Sequence, residues 1–141
     1  MPFEVRVHEG RAFDPEVVKK VLGEPALPAG EPDGPQAPFL TIDGRIHRPT
    51  SDYLRNLSYA RPNPATTRRV ASDLRGWLDH LCNDRGLHPH EDHRDPIFTA
   101  TERDFASYYR LRQYGPEDRL LSGEGWTHAS GAIKRFYELR P

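Results

Sequence analysis

The most regular helical pattern of the chain lies at residues 63–81, which read NPATTRRVASDLRGWLDHL. Asn63 is a preferred N-cap residue and Pro64 suits a first helical turn, so this sequence indicates where the helix begins. Gly86 follows soon after the pattern ends and serves as a stop signal. Apolar residues recur at helical spacing and predict one buried face, formed by Val70, Leu74, Trp77, Leu78 and Leu81. We therefore predict a helix over residues 64–81.

Three more helices are predicted on either side of this one. Thr101 and Asp104 have the spacing of a capping box, which marks a helix start. Ser122 is placed to cap the last helix, whose apolar side contains Trp126, Ile133 and Phe136. The predicted ranges are 51–59, 101–113 and 123–139. We therefore expect a mainly α domain of four short helices over residues 49–141.

Residues 1–48 have a different pattern and are predicted to form an N-terminal arm. Residues 3–7 alternate apolar and charged side chains, as a half-buried strand does. Asp14-Pro15-Glu16 indicates a short helix over residues 14–22, and residues 23–38 contain five prolines and three glycines, which indicates a loop. Asp43-Gly44 suits a tight turn between residues 39–42 and 45–46. The arm is thus predicted to be irregular, with a short β-hairpin.

Charge is unevenly distributed along the chain. The formal net charge is −1, yet residues 44–80 contain seven arginines against three aspartates. Arginine binds phosphate oxygens and guanine through two parallel hydrogen bonds, so this segment is the candidate for nucleic-acid contact. The single Cys82 excludes an intramolecular disulfide. No apolar run is long enough to span a bilayer and no secretory leader is recognised, so we expect a cytoplasmic protein with no membrane partner.

Three ordered motifs resemble the core-binding domain of tyrosine recombinases, the phage-integrase family. Asn63-Pro64-Ala65-Thr66, followed by Asp73-Leu74-Arg75-Gly76-Trp77-Leu78, is similar to one helix of that domain. Thr101-Glu102-Arg103-Asp104-Phe105 resembles the start of its third helix. Leu121-Ser122, followed by Ala132-Ile133-Lys134-Arg135-Phe136-Tyr137, resembles its last helix, with Gly123 and Gly125 in place of the usual proline and threonine. The resemblance implies a SAM-like orthogonal four-helix bundle of the integrase core-binding type.

The resemblance also implies a function. Such domains hold one face of duplex DNA during integration and recombination, and they contact other recombinase protomers in a synaptic assembly. A separate domain with a tyrosine nucleophile cuts the strand, and its H-x-x-R motif is not found in this chain. We therefore expect a non-catalytic DNA-binding domain with no metal and no cofactor.

The candidate DNA-binding residues come from two predicted helices. Arg68, Ser72 and Arg75 lie opposite the apolar face of helix 64–81, at about 100° per residue. The last helix offers polar side chains away from its aromatic stripe, and the resemblance implies the same two helices. The full set is Thr66, Arg68, Arg69, Ser72, Arg75, Thr127, His128, Lys134 and Arg135.

Other interpretations remain open at this point. The basic helix face could be a solvated surface on which Arg69 and Arg75 pair with Asp73 and Asp79 at i, i+4 spacing. The bundle could instead be a protein-interaction module without DNA binding. A third hypothesis is a metal-dependent enzyme that uses the loop His88-Pro89-His90-Glu91-Asp92-His93, although no regular scaffold would fix these ligands.

Overall fold

The computed structural model describes residues 2–9, 37–61, 63–87, 89 and 95–138. This part contains a three-stranded antiparallel sheet and five α-helices, so the prediction of a mainly α fold is confirmed. The SAM-like orthogonal arrangement remains a prediction. The helix predicted over residues 14–22 lies outside the described residues, as does most of the loop predicted over residues 23–38.

The sheet consists of β1 (Val5–His8), β2 (Phe39–Ile42) and β3 (Arg45–Ile46), in that spatial order. Asp43 and Gly44 connect β2 to β3 with φ of 51° and 81°, which confirms the predicted Asp-Gly turn. β1 pairs with β2 and places Val5 opposite Ile42. Both side chains are buried in the same core as the helices. The strands of the predicted arm therefore pack on the helical part, while the division at residue 48 remains a prediction.

The helices begin where local signals place them, with one exception. α1 (Arg48–Ala60) starts three residues before its predicted start, because Pro49 fits the first turn. α2 (Pro64–Asp79) begins as predicted, and the Asn63 side chain accepts a hydrogen bond from the Ala65 N–H at 3.0 Å. The predicted continuation of this α-helix to residue 81 is wrong, because the chain changes to a π-helical turn at His80–Asp84.

The second half of the chain contains three helices, of which the first was not predicted. α3 (Pro96–Thr99) is one turn long, and the Asp95 side chain caps it through the Ile97 N–H at 3.0 Å. α4 (Glu102–Tyr114) has the predicted capping box of Thr101 and Asp104. α5 (Gly123–Glu138) begins after Ser122, whose Oγ accepts from the Gly125 N–H at 2.9 Å. The loop from His88 to His93, which the hypothesis of a metal-dependent enzyme uses, lies mostly outside the described residues.

The free edge of β1 is covered by side chains from α2 and the π-helical turn. The Asn83 amide accepts from the Phe3 N–H at 2.6 Å and donates to the Phe3 carbonyl at 2.8 Å. The Arg75 Nε donates to the Val5 carbonyl at 3.0 Å. These groups take the place of a neighbouring strand, and so protect an edge that could otherwise pair with another chain.

His80 lies buried at the start of the π-helical turn, against the rings of Trp77 and Tyr108. Its Nδ1 is 2.9 Å from the Asp84 carboxylate, which in turn accepts from Arg119 at 2.7 Å. Burial lowers the pKa of His80 below its usual value, although the hydrogen bond and charge of Asp84 act in the opposite direction. The folded protein therefore favours the neutral imidazole.

The buried His80 predicts a loss of stability in acid. A folded pKa below the unfolded one means that the stabilisation is complete above about pH 6.5 and is lost as the pH falls, by at most about 1.4 kcal/mol per pH unit. Urea unfolding at about pH 7.5 and 5.5 should show this loss, and His80→Gln should reduce it, because the amide does not titrate. His8→Gln, on the sheet, is the control. An equal pH dependence in the wild type and in His80→Gln would contradict the assignment.

Candidate nucleic-acid interface

The outer face of α2 presents the arginines that the sequence predicted. Arg68, Arg69 and Ser72 are exposed, and Thr66 is partly buried. Arg68 and Ser72 point straight out from the core, whereas Arg69 lies about 100° around the helix from Arg68. This rotation turns Arg69 towards the side of α2 that meets α5.

Arg75 has a different environment from the other α2 arginines. It is exposed, but its Nε is bonded to the Val5 carbonyl at the sheet edge. The side chain is therefore directed towards β1, away from Arg69. Helical periodicity predicts that Arg75 lies near Arg68, because the two residues are neighbours on the surface of α2. The carbonyl that redirects the Arg75 guanidinium belongs to β1, which is distant along the chain.

A polar pair joins α2 to α5 next to Arg69. The His128 Nδ1 lies 2.6 Å from Asp73 Oδ2, and both side chains are partly buried. Burial raises the pKa of Asp73, while the hydrogen bond and charge of His128 and the charges of Arg69 and Arg112 lower it. The raised pKa shows that desolvation outweighs these favourable interactions. His128, a predicted DNA contact, therefore has a structural partner within the protein.

The alternative ion pairs within α2 do not form. Asp73 binds His128 rather than Arg69, and Asp79 accepts a hydrogen bond from Asn83 Nδ2 at 2.8 Å. The guanidinium of Arg119 approaches Asp79 to 3.7 Å. Neither Arg69 nor Arg75 is within ion-pair distance of a carboxylate in the described chain. The interpretation of this face as a set of neutralised i, i+4 pairs is thus wrong.

Arg135 extends the basic face onto α5. It lies seven residues after His128, hence on the same side of the helix, and it is exposed. Burial raises the pKa of the Tyr53 hydroxyl on α1, and the positive charges of Arg135 and Arg61 both lower it. The two guanidinium groups therefore act on the same hydroxyl. Arg61 is not among the DNA-binding residues predicted from the sequence, although it belongs to the arginine-rich segment of residues 44–80.

Two predicted α5 residues lie away from this face. The Thr127 hydroxyl donates to the Gly123 carbonyl of its own helix at 2.9 Å. Lys134 Nζ lies 5.9 Å from the centre of the Phe105 ring on α4, within reach of a cation–π interaction. Lys134 therefore points towards α4, about 100° around α5 from Arg135.

We call Arg61, Arg68, Arg69 and Arg135 the arginine surface. All four are exposed, and within the described residues none is paired with a carboxylate. Unpaired guanidinium groups repel one another and gain most from an anionic partner with several charges. The arrangement is therefore suited to a polyanion.

A second surface consists of aromatic side chains on α4 and α5, and we call it the aromatic patch: Tyr109, Tyr114 and Trp126. Tyr109 is 40% exposed and Tyr114 is 78% exposed. Their rings meet edge to face, as do those of Tyr109 and Trp126, with centres 6.4 Å and 5.3 Å apart. An exposed set of tyrosine and tryptophan is typical of contact surfaces for other macromolecules.

Other classes of site find little support among residues 2–9, 37–61, 63–87, 89 and 95–138. Within these ranges no group of three or more His, Cys, Asp or Glu residues is arranged to hold a metal ion. Nor does any helix there have the length and apolar character needed to cross a membrane. Burial raises the pKa of the Cys82 thiol to about 12, so this cysteine is poorly suited to act as a nucleophile.

The chain was compared with models of protein families, with curated proteins and with solved structures, and none of them matches it. The resemblance to tyrosine recombinases therefore depends on the three sequence motifs alone.

Proposed function

We propose that this chain is a non-catalytic DNA-binding domain of a tyrosine recombinase, and that it holds duplex DNA against α2 and α5. The observation that carries the proposal is the arginine surface, whose four exposed guanidinium groups have no carboxylate partner in the described chain. Three of these arginines lie on the two helices that the recombinase motifs indicate, and Arg61 follows the end of α1. Strand cleavage would belong to a separate domain, and contacts with other protomers are part of the same proposal.

The physics of phosphate binding favours this use of the surface. Each arginine that neutralises a phosphate releases condensed counterions. The logarithm of the binding constant therefore falls linearly with the logarithm of the salt concentration. The net charge of −1 does not oppose this, because the potential near the duplex is set by the local charges within about 10 Å at moderate salt. Ser72 is exposed about 40° around α2 from Arg68, so its hydroxyl can add a hydrogen bond to a phosphate oxygen.

Duplex affinity should fall when the arginine surface loses charge. Three single variants test this: Arg68→Gln, Arg69→Gln and Arg135→Gln. We expect each to raise Kd about three- to tenfold. Each should also reduce the magnitude of the slope of log K against log salt concentration by about one. Fluorescence anisotropy of a labelled mixed-sequence duplex at about 50 and 200 mM salt measures both quantities.

Arg55→Gln is the matched control for these variants. Arg55 is exposed on α1 and already pairs with Asp52 at 3.3 Å, so its loss removes one charge outside the arginine surface. Duplex affinity should then change less than twofold, within the range of surface substitutions. Absence of salt-dependent binding by the wild type, or an equal loss in Arg55→Gln, would refute the DNA-binding proposal.

The aromatic patch favours a second candidate function, a protein-interaction module. Tyrosine and tryptophan are enriched among the residues that dominate binding energy at protein interfaces. Three results together would support the second function over the first. The chain would show no binding to duplex DNA at low salt, it would self-associate in sedimentation, and Tyr114→Ser would abolish this association.

A further inference from the structure

A cavity of about 270 Å³ lies beside the first turn of α1, where β3 passes into the helix. Arg45 and Arg48 line it from the two sides of His47 in the chain, and Asp95 lines it from the start of α3. Ile46, which is 55% exposed, and Pro49 supply an apolar wall. The cavity thus combines cationic groups with an apolar surface, as small-molecule sites commonly do.

The polar wall of this cavity is fixed by hydrogen bonds. The His47 side chain is 3% exposed, and its Nδ1 lies 2.7 Å from the Thr50 hydroxyl. Its Nε2 lies 2.9 Å from each Asp95 carboxylate oxygen. One of those oxygens also accepts from the Ile97 N–H. Asp95 is therefore held in place by hydrogen bonds to His47 and Ile97, and the geometry of the wall does not depend on a ligand.

The two arginines have no such partners among the described residues. Arg45 and Arg48 are exposed, and neither is within ion-pair distance of a carboxylate in the part of the chain that the structure describes. Among the described residues that line the cavity, two arginines stand against one carboxylate that is already hydrogen-bonded, which leaves an excess of positive charge. Arginine pairs favour planar or tetrahedral oxyanions because each can donate two parallel N–H groups.

We propose that this cavity binds a small phosphate-bearing ligand, with Arg45 and Arg48 on the phosphate and Ile46 and Pro49 against its organic part. The volume exceeds what a bare phosphate ion needs, which leaves room for an apolar body. The site is separate from the arginine surface. Arg48 opens α1 and Arg61 follows its end, so the 13 residues of the helix hold them about 20 Å apart. The proposal is therefore independent of DNA binding.

Calorimetric titration with inorganic phosphate and with phenyl phosphate tests the site directly. We expect saturable binding of both probes, tighter for phenyl phosphate, and a loss of at least about tenfold in the double variant Arg45→Gln/Arg48→Gln. The control is Arg55→Gln/Arg110→Gln, which removes the same number of exposed charges elsewhere. Circular dichroism should show the native helix content in both variants, since all four side chains are exposed.

The same variants are then titrated with duplex DNA to identify the source of the phosphate. Unchanged duplex affinity in Arg45→Gln/Arg48→Gln, together with lost phenyl phosphate binding, supports a small ligand. A fall in duplex affinity comparable to that expected for the arginine-surface variants overturns the proposal in favour of a backbone contact. No saturable binding of either probe, or an equal loss in the control, overturns it as well.

Discussion

Replacing Trp77 with alanine should lower the free energy of unfolding by about 3–5 kcal/mol, the usual cost of truncating a buried aromatic side chain. Trp77 is 1% exposed. Its ring meets those of Tyr108 and Phe105 at 5.4 and 6.0 Å, and its Nε1 donates to the Tyr137 hydroxyl at 3.0 Å. That hydroxyl donates to the Ile97 carbonyl at 2.6 Å. One side chain on α2 therefore connects α3, α4 and α5.

Urea unfolding followed by circular dichroism measures the effect of Trp77→Ala without relying on tryptophan fluorescence. A domain of this size has a total stability of about 5–15 kcal/mol, so the variant should unfold at a clearly lower urea concentration than the wild type. Trp126→Ala is the control. Trp126 is only partly buried, so its replacement should lower the free energy of unfolding by less than Trp77→Ala does. Trp77→Phe should fold and keep its duplex affinity, since the ring serves the core. A loss below about 1 kcal/mol in Trp77→Ala would contradict this view of the core.

Gly76→Ala should lower the free energy of unfolding by about 1–3 kcal/mol, the cost of overpacking a core. This is opposite in sign to the usual gain of roughly 1 kcal/mol when alanine replaces glycine inside a helix. A Cβ at this position would lie 2.6 Å from the Tyr108 hydroxyl oxygen and 2.8 Å from Arg112 Nη2. Arg112 can turn aside, but Tyr108 is 1% exposed and its ring is packed against Trp77 and Trp126.

Gly131→Ala is the matched substitution in α5. The nearest atoms to a Cβ there belong to the Arg135 guanidinium, at 3.6 Å, which is ordinary contact. The variant should therefore gain up to about 1 kcal/mol. In thermal and urea unfolding, the free energy of unfolding should fall in Gly76→Ala and rise in Gly131→Ala. The double variant Gly76→Ala/Tyr108→Phe should recover part of the stability that Gly76→Ala loses. A change in stability of the same sign in the two glycine variants would contradict the close contact between Gly76 and Tyr108.

The sequence by itself determined those features whose causes lie within a few residues. Asn63 caps α2, and Thr101 with Asp104 forms the capping box of α4, because side chain and backbone partner lie within one turn. Asp43-Gly44 produced the hairpin for the same local reason. The exposed positions of Arg68, Arg69 and Ser72 followed from helical periodicity, which fixes the direction of a side chain relative to the core.

Tertiary structure alone decided which of those side chains have partners. Arg75 reaches the Val5 carbonyl and Asp73 reaches His128, across 70 and 55 positions of the chain. Arg61 joins Arg135 near Tyr53 only because α1 packs against α5. Periodicity within one helix carries no information about such pairs, since they depend on how separate elements pack. The sequence could therefore locate the candidate surface on two helices. Which side chains belong to that surface depended on the packing of strands and helices around Trp77.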